Sequence, residues 1–236
     1  MRRLPARLRR VATGIALGIS LLAPMAEADT PVPPDVQTWL ASGTNGSIEA
    51  SAGGDLTGRR THDWAGLVDV MLPGDDERRI SRLVVFVEQP DGHLRLAAQS
   101  AAQPHDCGTA RCEWGDVRIA KQSIFVDRHF GWHGCSLEIT LQFKARGEHW
   151  PLVGEVSDST DVPWGLDAKG QEQDGPTYAV HVDHNHLTGD VIAREKIATR
   201  RARTIRTRVP LRSADLENFD DFTEPSDPGV PEHCGH

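Results

Sequence analysis

Apolar residues in this chain recur mainly at a period of two. The clearest stretch is 137–144: Leu137, Ile139, Leu141 and Phe143 fall on one side, Glu138, Thr140, Gln142 and Lys144 on the other. That pattern predicts a half-buried antiparallel strand. Thr177–Val182 repeats it with Tyr178, Val180 and Val182, and Trp64–Met71 follows it loosely. Arg82–Glu88 instead carries a continuous apolar run of strand length. Shorter strands are predicted over 93–99, 116–120, 123–127, 150–156 and 191–193. Turn residues separate them: Pro73-Gly74-Asp75-Asp76, Pro90-Asp91-Gly92, Arg146-Gly147 and Thr188-Gly189. A short helical turn fits Val36–Ala41, and no segment shows three turns of helical periodicity. Sequential hairpins predict an all-β fold: a mostly antiparallel meander bent into a sandwich or partial barrel, with an extended C-terminal tail.

The ends differ from the middle. Arg2, Arg3, Arg7, Arg9 and Arg10 precede an apolar run, Val11–Ala23, and Ala26-Glu27-Ala28 offers small residues for cleavage. This reads as a secretory signal peptide over 1–28; the run is shorter than the roughly 20 residues a membrane-spanning helix needs. The expected layout is a linker over 29–51, one β-domain over 52–194, and a tail over 195–236. From Arg194, the last residue of that domain, the chain is first basic, through Lys196, Arg200, Arg201, Arg203, Arg206, Arg208 and Arg212. It then turns acidic, through Asp215, Glu217, Asp220, Asp221, Glu224 and Asp227.

Cleavage changes the charge. The leader carries five Arg and one Glu, so the net −8 of the whole chain becomes −12. Such acidity disfavours nucleic acid and anionic lipid as partners and suits a cationic one. The expected location is periplasmic or secreted, with no membrane insertion after cleavage.

Four cysteines, Cys107, Cys112, Cys135 and Cys234, read as disulfides in an exported chain. Three pairings are possible; Cys107–Cys112 with Cys135–Cys234 is favoured. The first closes a tight loop, and the second ties the tail to the domain. A zinc site is the rival reading, but it needs reduced thiolates in an oxidising compartment.

Two segments offer ion chemistry. In the first, Asp55, Thr57 and Asp63 occupy the first, third and ninth positions of an oxygen-ligand calcium loop. Arg59 and Arg60 stand at the fifth and sixth positions. The expectation is that the Arg59 guanidinium replaces the ion between Asp55 and Asp63. In the second, His181, His184 and His186 suggest zinc or copper. On a strand His184 and His186 share a face, while His181 lies on the other, so a third ligand must come from elsewhere. The default expectation is no cofactor, with calcium or zinc as the ions to test.

Gly54-Asp55-Leu56-Thr57-Gly58 followed by Asp63-Trp64-Ala65 resembles the loop of exported proteins with FG-GAP or VCBS-like repeats. Arg82–Leu96, the Cys107/Cys112 segment running into Trp114-Gly115-Asp116, Trp150-Pro151-Leu152-Val153-Gly154, Leu187-Thr188-Gly189 and Leu216-Glu217-Asn218-Phe219-Asp220 resemble, in that order, a group of small exported bacterial proteins. The resemblance implies an exported all-β fold and supplies no catalytic residues. The group has a closer Cys pair and an acidic fifth loop position, and this chain departs from both.

No Gly-x-Ser-x-Gly, His-Glu-x-x-His, phosphate-cradling loop or nucleotide fingerprint occurs. His133 beside Cys135, and His233 beside Cys234, are better explained by a disulfide than by a nucleophile and its base. The expectation is therefore an exported, non-enzymatic binding domain. A cationic protein, such as a lysozyme-like hydrolase or a toxin, is the partner class that charge suggests. The alternative is a metal-dependent hydrolase of the cell envelope.

Overall fold

The computed structural model describes residues 31–42, 46–72, 75–104, 106–107, 110–132, 135–161, 178–197, 200–211 and 214–219; side chains at 71–79, 103–112 and 132 are outside that description. The segment expected as a signal peptide, 1–28, and the acidic end beyond 219 lie outside the described residues.

The fold is all-β, in two antiparallel sheets that do not close into a barrel. The first holds β1 (Ser47–Gly54), β2 (Asp63–Leu72), β3 (Asp75–Glu88) and β4 (Leu94–Gln99) in that order, with β5 (Gln103–Pro104) also on β3. The second holds β6 (Asp106–Cys107), β7 (Ala110–Ala120), β8 (Ser123–Trp132), β9 (Cys135–Lys144), β10 (Leu152–Asp161), β11 (Tyr178–Asn185), β12 (Asp190–Ile197) and β13 (Arg203–Arg208), each paired with its neighbour in sequence. Helix α1 (Pro34–Ala41) begins with proline, whose fixed φ suits a first helical position.

The main core lies between the sheets. Leu137, Ile139, Leu141 and Phe143 of β9 pack there with Leu67, Leu83 and Val85 from the first sheet. The continuous apolar run in β3 has a simple cause: both of its faces are covered. Leu83 and Val85 face the second sheet, while Val84 and Phe86 join Trp64, Val68 and Val36 beneath α1. Trp39 meets Phe86 edge-to-face at 5.5 Å. The sheets also approach at Gly54, where a Cβ would stand 2.7 Å from Ile119 Cγ2.

Strand pairing extends beyond the apolar pattern at both ends. β1 begins inside the segment expected as linker, and β13 lies inside the expected tail. β13 is Arg- and Thr-rich and shows no hydrophobic alternation, while β1 carries only a weak one, with Ile48, Ala50 and Ala52 set between Ser47, Glu49, Ser51 and Gly53. After β13 the chain returns to the main core. Leu216 begins a 3₁₀ turn (Leu216–Asn218), and Phe219 packs against Phe143 at 5.4 Å. Trp150 N–H donates to Asp215 Oδ1 at 3.1 Å, so the first member of the acidic run has a structural task.

Arg128 is a buried cation that the strand pattern did not single out. It faces the main core from β8, its guanidinium 4.6 Å from both the Trp114 and Phe130 rings. Burial pushes its pKa down to about 10, and the two ring faces favour the cation.

Candidate functional site

Register brings the strongest donor cluster together. Glu155 of β10 stands directly opposite His184 of β11. His186 follows in the turn, and its Nε2 lies 3.2 Å from Glu155 Oε2. The His184 and His186 rings are 3.9 Å apart between centroids and tilted by 33°. One ligand atom from each of the three residues lies within 4.8 Å of the other two. All three side chains are half-buried. Glu155 is registered against Leu141 and His184 against Val191, so the cluster sits at the end of the core-facing side of the sheet.

The local sequence fixes that geometry. Asn185 Oδ1 accepts the Leu187 amide at 2.9 Å and the Thr188 amide at 3.2 Å, an Asx arrangement that turns the chain. Gly189 completes the turn at φ +74°, and an added Cβ would collide with the Val209 carbonyl. The His186 amide donates to the Val153 carbonyl at 3.2 Å, tying the turn back to β10.

His181 lies on the opposite face and does not join the cluster. Its Nδ1 is 2.9 Å from Asp158 Oδ1. Strand alternation separates it from His184. Glu155 is the residue the sequence reading did not reach: it lies 29 positions before His184, and only strand register makes them neighbours.

The Asp55 loop is arranged differently. Asp63 Oδ2 accepts the Leu56 amide at 2.8 Å, the Thr57 amide at 3.2 Å and the Thr61 hydroxyl at 2.8 Å. Its Oδ1 accepts the Glu88 amide at 3.0 Å. These bonds fill the acceptor capacity of a buried carboxylate. Asp55 accepts the Gly58 amide at 2.7 Å and the Arg60 amide at 2.9 Å. Partial desolvation pushes the Asp55 carboxyl up, but the Arg60 and Gly58 amides with Thr61 outweigh it and hold it below its usual range. That contribution to stability is present above the unfolded-state pKa and is lost as pH falls through the folded one.

The expected role of Arg59 is corrected. Its side chain is exposed and makes no ion pair with Asp55 or Asp63. Backbone amides and Thr61, rather than a guanidinium, occupy the two carboxylates. A tight loop aims its amides inward at no side-chain entropy cost, whereas an arginine must be held. Thr57 contributes a hydroxyl contact to Thr61 at 3.0 Å. Arg60, standing where such loops usually have glycine, adopts φ +62°.

Cys135 is disulfide-bonded. The side chains of Cys107, Cys112 and Cys234 lie outside the described ones. Among the described residues no helix is long and apolar enough to cross a membrane. Comparison with protein-family models, curated proteins and solved structures finds no match to this chain.

Proposed function

We propose that this is an exported, non-enzymatic binding domain whose ligand is a divalent transition-metal ion, held by Glu155, His184 and His186. The convergence of one carboxylate and two imidazoles within 4.8 Å carries this reading. Two nitrogens and one oxygen suit zinc or copper, whereas calcium takes six or more oxygens. The apolar neighbours Leu141 and Val191 limit water around the donors, and Glu155 supplies a negative charge to the ion.

Export is supported by the leader-like N-terminus and by the disulfide at Cys135, since such bonds persist in oxidising compartments. Register also favours Cys234 as its partner. Cys112 is opposite Phe130 and Cys135 opposite Trp132, so all of β8 separates β7 from β9. Two strand spacings of about 4.8 Å exceed the Cα separation of about 7 Å that a disulfide spans. Cys107 with Cys112 is the complementary pair.

Zinc titration by calorimetry, on protein purified without a His tag, tests the metal reading. One zinc per chain is expected, with at least a tenfold loss of affinity in both His184→Ala and Glu155→Gln. Absence of saturable binding, or binding unchanged in both variants, rejects it. A three-ligand set leaves a coordination position open, which is what favours the second reading, a metal-dependent hydrolase of the cell envelope. Zinc-dependent release of fragments from purified cell wall would select it. A cationic protein partner is supported by Glu138, Asp158 and Asp183, exposed on adjacent strands of the outer face.

A further inference from the structure

Strand β13 ends the eight-stranded sheet and, among the described residues, pairs only with β12. Among the described residues, its other row of backbone N–H and C=O groups has no strand beside it and is a template for a further one. Pairing with β12 runs from Asp190 opposite Arg208 to Glu195 opposite Arg203 with no bulge. The strand contains no proline, and every side chain but Ile205 is exposed. Proline, bulges and brevity, which blunt many sheet edges, are absent here; charge alone marks this one.

That charge is distributed over both faces. Alternation puts Arg203 on the core-facing side, and Arg206 and Arg208 on the outer side. Exposed Arg194 and Lys196 of β12 extend the outer basic area. Arg208 is partly engaged: its Nε donates to the Thr188 carbonyl at 2.9 Å and lies 3.5 Å from Asp190. Arg203 and Arg206 make no ion pair among the described residues, although Glu195 is registered opposite Arg203.

We propose that β13 is a docking edge for an extended acidic segment of a partner protein. The segment adds as the next strand and sets carboxylates against Arg203, Arg206 and Arg208. Backbone pairing supplies affinity, and the guanidiniums select acidic side chains. Two observations favour a peptide over a lipid surface or a polyanionic sugar. A planar surface meets only one face of the edge, whereas an added strand presents side chains to both. Phosphate and sulfate groups donate nothing to the outward carbonyls, and sugar hydroxyls do not follow the strand repeat, whereas a peptide backbone both donates and accepts at that repeat. An antiparallel segment places its acids opposite Arg208, Arg206 and Arg203 when it reads Glu-Thr-Glu-Val-Thr-Glu.

Titrating the whole protein with that peptide tests the proposal, using calorimetry and amide hydrogen exchange as readouts. Saturable binding is expected, with new protection within 203–208. The exposed double substitution Arg203→Ser with Arg206→Ser should weaken binding about tenfold or more. The same peptide N-methylated at alternate residues keeps its charges but should not bind. The proposal is overturned if the parent peptide does not bind or leaves β13 unprotected. It is also overturned if the N-methylated peptide binds equally, or if phosphatidylglycerol vesicles bind through the same arginines while the peptide does not. Zinc affinity should be the same in the arginine variant, which separates this test from that of the metal site.

Discussion

The Asp55–Asp63 loop and the Glu155–His184–His186 cluster both gather ionisable side chains, and they resolve the resulting charge in opposite ways. In the loop, each carboxylate is met by amides and a hydroxyl from the same tight turn. A cation would have to displace bonds already formed. In the cluster, the donors meet one another: His186 contacts Glu155, and the two imidazole centroids lie 3.9 Å apart. Bringing such groups to a half-buried position is costly unless something binds them together; Glu155 and His186 bind each other, and the proposed metal would engage all three donors at once. Calcium-like spacing in sequence therefore marks the self-satisfied site. Three residues without a shared motif make the site for which we propose an ion.

Asp63→Ala should widen the contrast most. It removes the acceptor for three amides and a hydroxyl at a buried position, and should cost about 3–4 kcal/mol in chemical denaturation. A loss under about 1 kcal/mol would show that the loop does not depend on this carboxylate. Zinc against calcium gives the next largest effect. Zinc at a hundred times its Kd should stabilise the protein by about 2.7 kcal/mol, read as a rise in Tm, and calcium should leave Tm unchanged. A calcium-induced rise would reverse the assignment of the two sites.

Gly189→Ala asks whether the turn positions the cluster. Its positive φ and the collision with the Val209 carbonyl should cost about 1–3 kcal/mol. Zinc affinity should fall as well, although residue 189 is not a ligand; full affinity would show that His186 is held from elsewhere. The smallest effect is expected at Arg59. Arg59→Ala should change stability by no more than about 0.5 kcal/mol, as for other exposed positions. A larger loss would restore the guanidinium as counter-charge to Asp55 and Asp63.

Strand class was legible wherever one face of the chain meets the core. The alternation through Leu137–Phe143 requires a half-buried strand whatever lies opposite. Pro90-Asp91-Gly92 and Thr188-Gly189 require turns because their backbones do. The same alternation already separated His181 from His184 and His186. Tertiary structure decided what had to be compared across long distances in sequence. Glu155 becomes the third donor only because β10 and β11 pair in one register, and a slip of one residue would turn it to the other face. β13 carries no hydrophobic signal, and β1 only the small residues Ala50 and Ala52 beside Ile48; neighbouring strands recruit both through backbone hydrogen bonds. Spacing identified the carboxylates at Asp55 and Asp63, but not what would satisfy them. Which amides turn inward is a property of the folded loop, and those amides leave Arg59 in solvent.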